Sequence, residues 1–328
     1  MNAVLAGSPP STILTVTLNF ALDLTYGVDR VRWHGVNRVA SVVERAGGKG
    51  VNVARVLHAL GHRASVAGLV GGRTGEAARA ELRAAGLHDV LVPIGGQSRR
   101  TVAVVDAASG DATGLWEPGP VVTTAEWRTF VSAYRQQLRG ADAVVLSGSL
   151  PGGVPPDAYR VLCELAADEG VPAVLDADAD ALRLGLDGRP TLIKPNADEL
   201  SRVTHTADPV EGAQALRAAG ATAVVVSRGA DGLLAVAPEG SWTATPPERV
   251  AGNPTGAGDA AVAALVAGMV LGTSWPERLA DAAALSAAAV AAPLAGSFDA
   301  DAYGRCRPEI DVRPMDPPPS REDRSRCP

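Results

Sequence analysis

Strand-length apolar runs and helix-length segments take turns along most of this chain, and that alternation restricts its fold more than any other feature. Ile13-Leu-Thr-Val-Thr-Leu18, Ser65–Val70, Val90–Ile94, Ala143–Leu146, Ala173–Leu175, Thr191–Ile193 and Ala223–Val226 read as short strands. Between them, Val53, Val56, Leu57 and Leu60 recur at helical spacing up to a stop at Gly61, and 75–85, 157–169, 180–186 and 209–219 read as helices. Strands separated by helices pair in parallel and need cover on both faces, so the expected class is α/β with a mostly parallel sheet. Hairpins are expected from Arg99–Asp106 with Ala112–Trp116, and from Gly232–Val236 with Trp242–Ala244. The segment 28–44 reads as two extended pieces turning at Trp33-His-Gly, and residues 1–10 as a frayed start.

Hydrophobic residues make up 46% of the 328 residues but aromatics only 4%, so the core must be built from Ala, Val and Leu. A net charge of −6 argues against a general nucleic-acid binder. Cys163, Cys306 and Cys327 lack metal-ligand spacing and suit a reducing compartment. There is no secretory signal pattern, and the Ala-rich run 282–292 halts at Pro293, too short to span a bilayer. A cytoplasmic protein without membrane or nucleic-acid partners is expected.

The stretch Ala251-Gly-Asn-Pro-Thr-Gly-Ala-Gly-Asp259 runs directly into the apolar segment 260–271, which reads as a buried helix. Free N–H groups and partial positive charge at a helix start suit an anion. Asp259 at that junction either caps the helix or accepts a proton from a substrate hydroxyl, and local sequence alone favours the cap. A second Gly-rich stretch, Gly47-Gly-Lys-Gly50, opens another helix about 200 residues earlier. The chain contains no G-x-x-x-x-G-K-[ST], no dinucleotide fingerprint, no H-E-x-x-H and no C-x-x-C, and its five histidines are isolated.

In this order and spacing, the two Gly-rich stretches resemble the paired signatures of the ribokinase-like, or phosphofructokinase B, sugar kinases. Leu14-Thr-Val-Thr-Leu-Asn19, Val36-Asn-Arg38, Lys49 and Glu117-Pro-Gly-Pro120 are similar to the 1-phosphofructokinase and tagatose-6-phosphate kinase branch. The resemblance implies a three-layer ribokinase-like kinase domain over 11–305, with a small β-sheet lid from about 24–45 and 99–118 and a disordered tail at 306–328. It implies ATP and Mg²⁺ as cofactors, a sugar phosphate as the small-molecule partner, and a homodimer formed through the lid.

Residue by residue, it makes Asp259 the catalytic base and the amides of Gly256, Ala257 and Gly258 the anion hole. Asp23, Gly48 and Asn52 would bind sugar hydroxyls, and Arg38, Lys49 and Arg99 the substrate's phosphate. Lys194, Asn196, Ser227, Gly229 and Gly232 would meet the nucleotide, and Glu199 would hold Mg²⁺ through water. The implied reaction is fructose 1-phosphate to fructose 1,6-bisphosphate, with tagatose 6-phosphate or fructose 6-phosphate as alternative acceptors. A catalytically silent sugar-phosphate sensor is the alternative of another class. Phe20 stands where the family commonly has proline, and Asn253-Pro254 precedes the anion hole where other residues are common.

Overall fold

The computed structural model describes residues 11–250 and 252–315. The expected frayed start, the end of the expected tail beyond Met315, Ala251 and Cys327 lie outside them. The chain runs β1 (Thr12–Thr17), β2 (Ala21–Val28), β3 (Ser41–Gly47), α1 (Lys49–Ala59), β4 (Arg63–Val70), α2 (Gly72–Ala84), β5 (His88–Asp89) and β6 (Val92–Pro93). It continues through β7 (Arg99–Asp106), β8 (Ala112–Trp116), α3 (Thr124–Leu138), β9 (Ala143–Ser147), α4 (Ala158–Asp168), β10 (Ala173–Asp176), α5 (Ala179–Gly185) and β11 (Leu192–Ile193). It closes with α6 (Ala197–Thr204), α7 (Pro209–Ala218), β12 (Ala223–Ser227), β13 (Leu233–Ala237), β14 (Gly240–Thr245), α8 (Ala257–Val270), α9 (Trp275–Val290), α10 (Ala300–Cys306) and β15 (Asp311–Met315).

Eleven strands form one sheet in the order β15-β14-β13-β12-β11-β10-β9-β1-β4-β5, with β6 also on β4. From β12 to β5 all pairs are parallel, while β13, β14 and β15 add an antiparallel edge. Parallel strands are covered on both faces, which is why these runs are apolar at nearly every position. Ile13, Val145, Val174 and Val225 face one core with α1, α8 and α9, whereas Leu14, Val144, Leu175 and Val224 face another with α3, α4 and α7. The result is a three-layer α/β fold with a separate four-stranded sheet, ordered β3-β2-β7-β8, as its lid.

Several elements differ from their expectations. The piece expected at 28–44 is instead strand Ala21–Val28, a loop, and strand Ser41–Gly47, with positive φ at His34 (62°) in the loop. The strand expected at 90–94 is broken into two short pairs on β4. The tail expected to be disordered from 306 is ordered through Met315, because 311–315 pairs with Gly240–Thr245 as the sheet's edge strand. Four helices, Thr124–Leu138, Ala197–Thr204, Trp275–Val290 and Ala300–Cys306, lie outside the expected elements; the first was readable, since Thr123 and Glu126 form a capping box and Trp127, Phe130, Tyr134 and Leu138 bury one face. Phe20 is buried in the main core, and Asp23, three residues on, still reaches the cleft between the lid and the main sheet.

Candidate active site

Ligands of open parallel sheets bind beyond the carboxyl ends of the strands. Here Thr17, Ser147, Asp176 and Ser227 end β1, β9, β10 and β12, Lys194 follows β11, and the lid lies opposite. Between them is a cleft of about 570 Å³. Of the expected site residues, Asp259, Gly256, Gly258, Asp23, Gly48, Lys49, Asn52, Arg99, Lys194, Asn196, Glu199 and Ser227 line it.

Asp259 does not cap α8. Gly256 occupies the N-cap with φ 89°, which places Asp259 in the first helical turn, and its buried Oδ2 accepts a hydrogen bond from Asn52 Nδ2 at 2.8 Å. The local expectation of a cap fails because the glycine turn supplies the left-handed residue before the helix and frees the carboxylate. Burial, reinforced by the nearby Asp176 carboxylate, pushes Asp259 up to about 7, against the opposing pull of Lys49, Asn52 and Lys194. A carboxylate poised near neutrality and facing a cleft suits proton abstraction. Of the three amides expected to form an anion hole, that of Ala257 is turned to Pro254 O at 3.2 Å, and Ala257 is not among the lining residues. Gly258 lies against the cation of Lys194: a Cβ there would sit 3.4 Å from Lys194 Nζ.

Asp176 lines the cleft although it was not among the expected site residues. Its carboxylate is 2% exposed and lies 3.4 Å from Lys49 Nζ and 3.7 Å from Lys194 Nζ, joining the two lysines. Burial works to raise it, but Lys194 and Lys49 together hold it below the usual carboxylate range. Burial likewise opposes the charge on Lys49, yet Asp176, Asp259, Glu199 and Asp178 raise it above the ordinary lysine value. Asp178 Oδ1 is 3.9 Å from Lys49 Nζ; it occupies the N-cap of α5 without making a capping bond.

In the lid half, Asp23 is raised by burial, against a 2.5 Å bond from Thr101 Oγ1 and the charges of Arg99, Arg55 and Arg45. Arg99 lines the cleft, with Nε donating to Asn19 O and a terminal nitrogen to Glu117 O at 3.1 and 3.3 Å. Gly48, φ 111°, starts α1 where any Cβ would strike Thr17. Arg45, on the strand opposite Asp23, also lines the cleft and donates to Ala295 O at 3.2 Å. Arg38 is exposed in the loop after β2 and is not among the lining residues, because the strand ends at Val28 and the turn carries it outward.

In the other half, Asn196 and Glu199 form a reciprocal capping box on α6, each accepting the other's backbone N–H at 2.8 Å. Glu199 uses only Oε2 for this, which leaves Oε1 for a ligand. A single carboxylate of this kind fits a cation that keeps its water shell, and no group of three acidic, His or Cys residues among the described residues offers a full coordination cage. Ser227 donates its N–H to Pro195 O at 3.0 Å, drawing the β11 and β12 ends together. Gly229 and Gly232 stand outside the lining. Gly232 is required for packing, since a Cβ would lie 2.0 Å from Ala244 O.

The family model described as pfkB family carbohydrate kinase matches residues 17–301. Phosphofructokinase-2 from Escherichia coli, solved in complex with fructose-6-phosphate, is 28% identical with a TM-score of 0.82, covering 91% of this chain and 98% of that one. A tetrameric inhibited form of that enzyme has the same identity, TM-score and coverage. A Thermotoga maritima protein named as a possible 1-phosphofructokinase is 27% identical with a TM-score of 0.84, covering 93% of this chain and 100% of that one.

Proposed function

The chain belongs to the pfkB family of carbohydrate kinases, a phosphotransferase with a hydroxyl acceptor, and we propose that its reaction converts fructose 1-phosphate and ATP to fructose 1,6-bisphosphate and ADP. The observation that carries this reading is the meeting of Asp259, poised near 7, with Lys194 and Gly258 at one helix start. Lys49 at the start of α1, with Arg99 and Arg45 on the lid strands, supplies the positive charge that an already phosphorylated sugar requires. Tagatose 6-phosphate and fructose 6-phosphate, as acceptors, would call on the same cations.

In the proposed mechanism, Asp23, Gly48 and Asn52 orient the sugar so that its free primary hydroxyl faces Asp259. The Asp259 carboxylate takes the hydroxyl proton as the oxygen bonds to the γ-phosphorus, and the bond to ADP breaks. Lys194 and the free N–H groups at the α8 start stabilise the charge on the phosphoryl group in transit. Asn52 keeps the carboxylate aimed, and the lid excludes water. Mg²⁺, held near Glu199 through water, would neutralise nucleotide phosphate charge.

Exposed Trp33, Val36, Val42, Leu115 and Trp116 on the lid and its adjoining loop support a homodimer through this surface, and a monomeric mass in light scattering would refute it. The cytoplasmic location proposed here rests on Cys163 and Cys306, which are free thiols. No helix among the described residues is long and apolar enough to cross a membrane. The test of function is a coupled ADP-release screen over fructose 1-phosphate, fructose 6-phosphate, tagatose 6-phosphate, free fructose and ribose. Preference for a ketohexose monophosphate supports the proposal, and equal turnover of free fructose overturns it.

A further inference from the structure

The outer lid strand β3 is an edge strand, and an edge leaves backbone groups without partners in the sheet. At Ala46, the last residue before the Gly47-Gly48 turn, those groups are taken up from outside the lid. Its N–H donates to Glu81 Oε2 of α2 at 2.7 Å, and its carbonyl accepts from a terminal nitrogen of Arg55 of α1 at 3.4 Å. Arg55 and Glu81 are themselves in direct ion pairing, with side chains 7% and 28% exposed. A largely buried charge pair thus grips one residue at the root of the lid, from two helices of the body.

Immediately after Ala46 the chain enters the sugar half of the cleft. Gly47 is packed so closely on Asp23 that a Cβ would lie 2.0 Å from its carboxyl carbon, Gly48 begins α1, and Lys49 comes next. Arg55 stands three residues after Asn52 on the same helix, so the two share a face. Both press on Gly296, whose Cβ would be 3.0 Å from Arg55 Cδ and 2.9 Å from Asn52 Oδ1. Lys194, Asn196, Glu199 and Ser227 sit on other elements.

We infer that Arg55 and Glu81 are a positioning pair that fixes the root of the lid and, through it, the placement of Asp23, Gly48, Lys49 and Asn52. The assignment of those four residues to the sugar rests on the proposed kinase function, but the mechanical role does not. Removing the Glu81 carboxylate takes the partner from Ala46 N–H and leaves Arg55 only the Ala46 carbonyl, which would let the glycine turn shift, and a misplacement of about 1 Å can cost about a hundredfold in catalysis.

Two measurements on Glu81→Ala, Glu81→Gln and Arg55→Lys test this. In steady-state kinetics with whichever acceptor the wild type uses, Glu81→Ala should raise the acceptor KM about tenfold or more, with ATP KM within about twofold. Glu81→Gln, which keeps an acceptor for Ala46 N–H, should recover much of the loss. Unchanged KM values alongside a lowered Tm, or equal rises in both KM values, would overturn the inference. Hydrogen exchange needs no substrate and separates this question from the reaction assigned: faster exchange confined to 41–52 supports the pair's role, and uniform acceleration that includes 192–199 and 223–227 refutes it. If Glu81→Ala fails to fold, the same two readings on Arg55→Lys and Glu81→Gln decide the matter.

Discussion

Replacing Asp259 by asparagine should stabilise the protein at neutral pH while destroying its activity. The carboxyl is 6% exposed, and burial beside Asp176 moves it from 3.8 to about 7. Below pH 3.8 the group is protonated in folded and unfolded chains alike, so the shift costs the fold nothing. As pH rises from there, the unfolded chain gives up the proton while the native state keeps it. Native stability therefore falls by about 1.4 kcal/mol per pH unit until the folded carboxyl also ionises near 7. The accumulated cost is about 4 kcal/mol, and it stays constant at higher pH.

Asp259→Asn removes this limb without removing the contact, because an amide oxygen can still accept from Asn52 Nδ2. Urea unfolding of both proteins from about pH 4 to about pH 8.5, at fixed ionic strength, measures the difference. The variant's advantage should be small at the acid end, widen towards about 4 kcal/mol near pH 7 and then level off. A gap that is flat across this range would show that Asp259 ionises normally in the folded protein and is not a poised base.

Lys49→Ala should raise KM for the sugar phosphate by about a hundredfold or more with little change for ATP, since the Lys49 cation is lost while Asp176 keeps Lys194 as its partner. The kcat/KM of the wild type should climb with pH through about 7 as Asp259 loses its proton, and a profile already flat from about pH 5.5 would contradict that. Asp178→Asn should lower the sugar-phosphate KM about fivefold at low salt by removing a carboxylate that competes for Lys49, worth about 1 kcal/mol in a solvated site. That gain should shrink at high salt, and a raised KM would show that Asp178 assists binding.

Much of the cleft's lining was legible because it is built from local signals. Glycines that feed helices, a carboxylate beside one and a lysine beside the other mark Gly47–Lys49 and Gly256–Asp259 without any knowledge of topology. Asp176 was not legible as part of the cleft: a strand-ending aspartate becomes a bridge only when β11 lies beside β10, bringing Lys194, and α1 packs against β1 and β9, bringing Lys49. Arg45 and Glu81 act across separate elements and leave no pattern in the chain. Arg38 lies outside the cleft lining, and its motif match carried no information about where the strand before it ends. Thr124–Leu138 was different, since its T-x-x-E start and buried aromatic spacing are readable. The strand 311–315 was hidden by Pro314, which an edge strand tolerates because one side of its backbone needs no partner.

Pairing turnover with affinity in Asp259→Asn tests the role of this carboxylate most directly. Under saturating ATP, Mg²⁺ and fructose 1-phosphate, ADP release should fall by about a thousandfold or more. Calorimetric affinity for the sugar phosphate should stay within about threefold of wild type. Turnover near that of the wild type would contradict the assignment of Asp259 as the base that takes the hydroxyl proton.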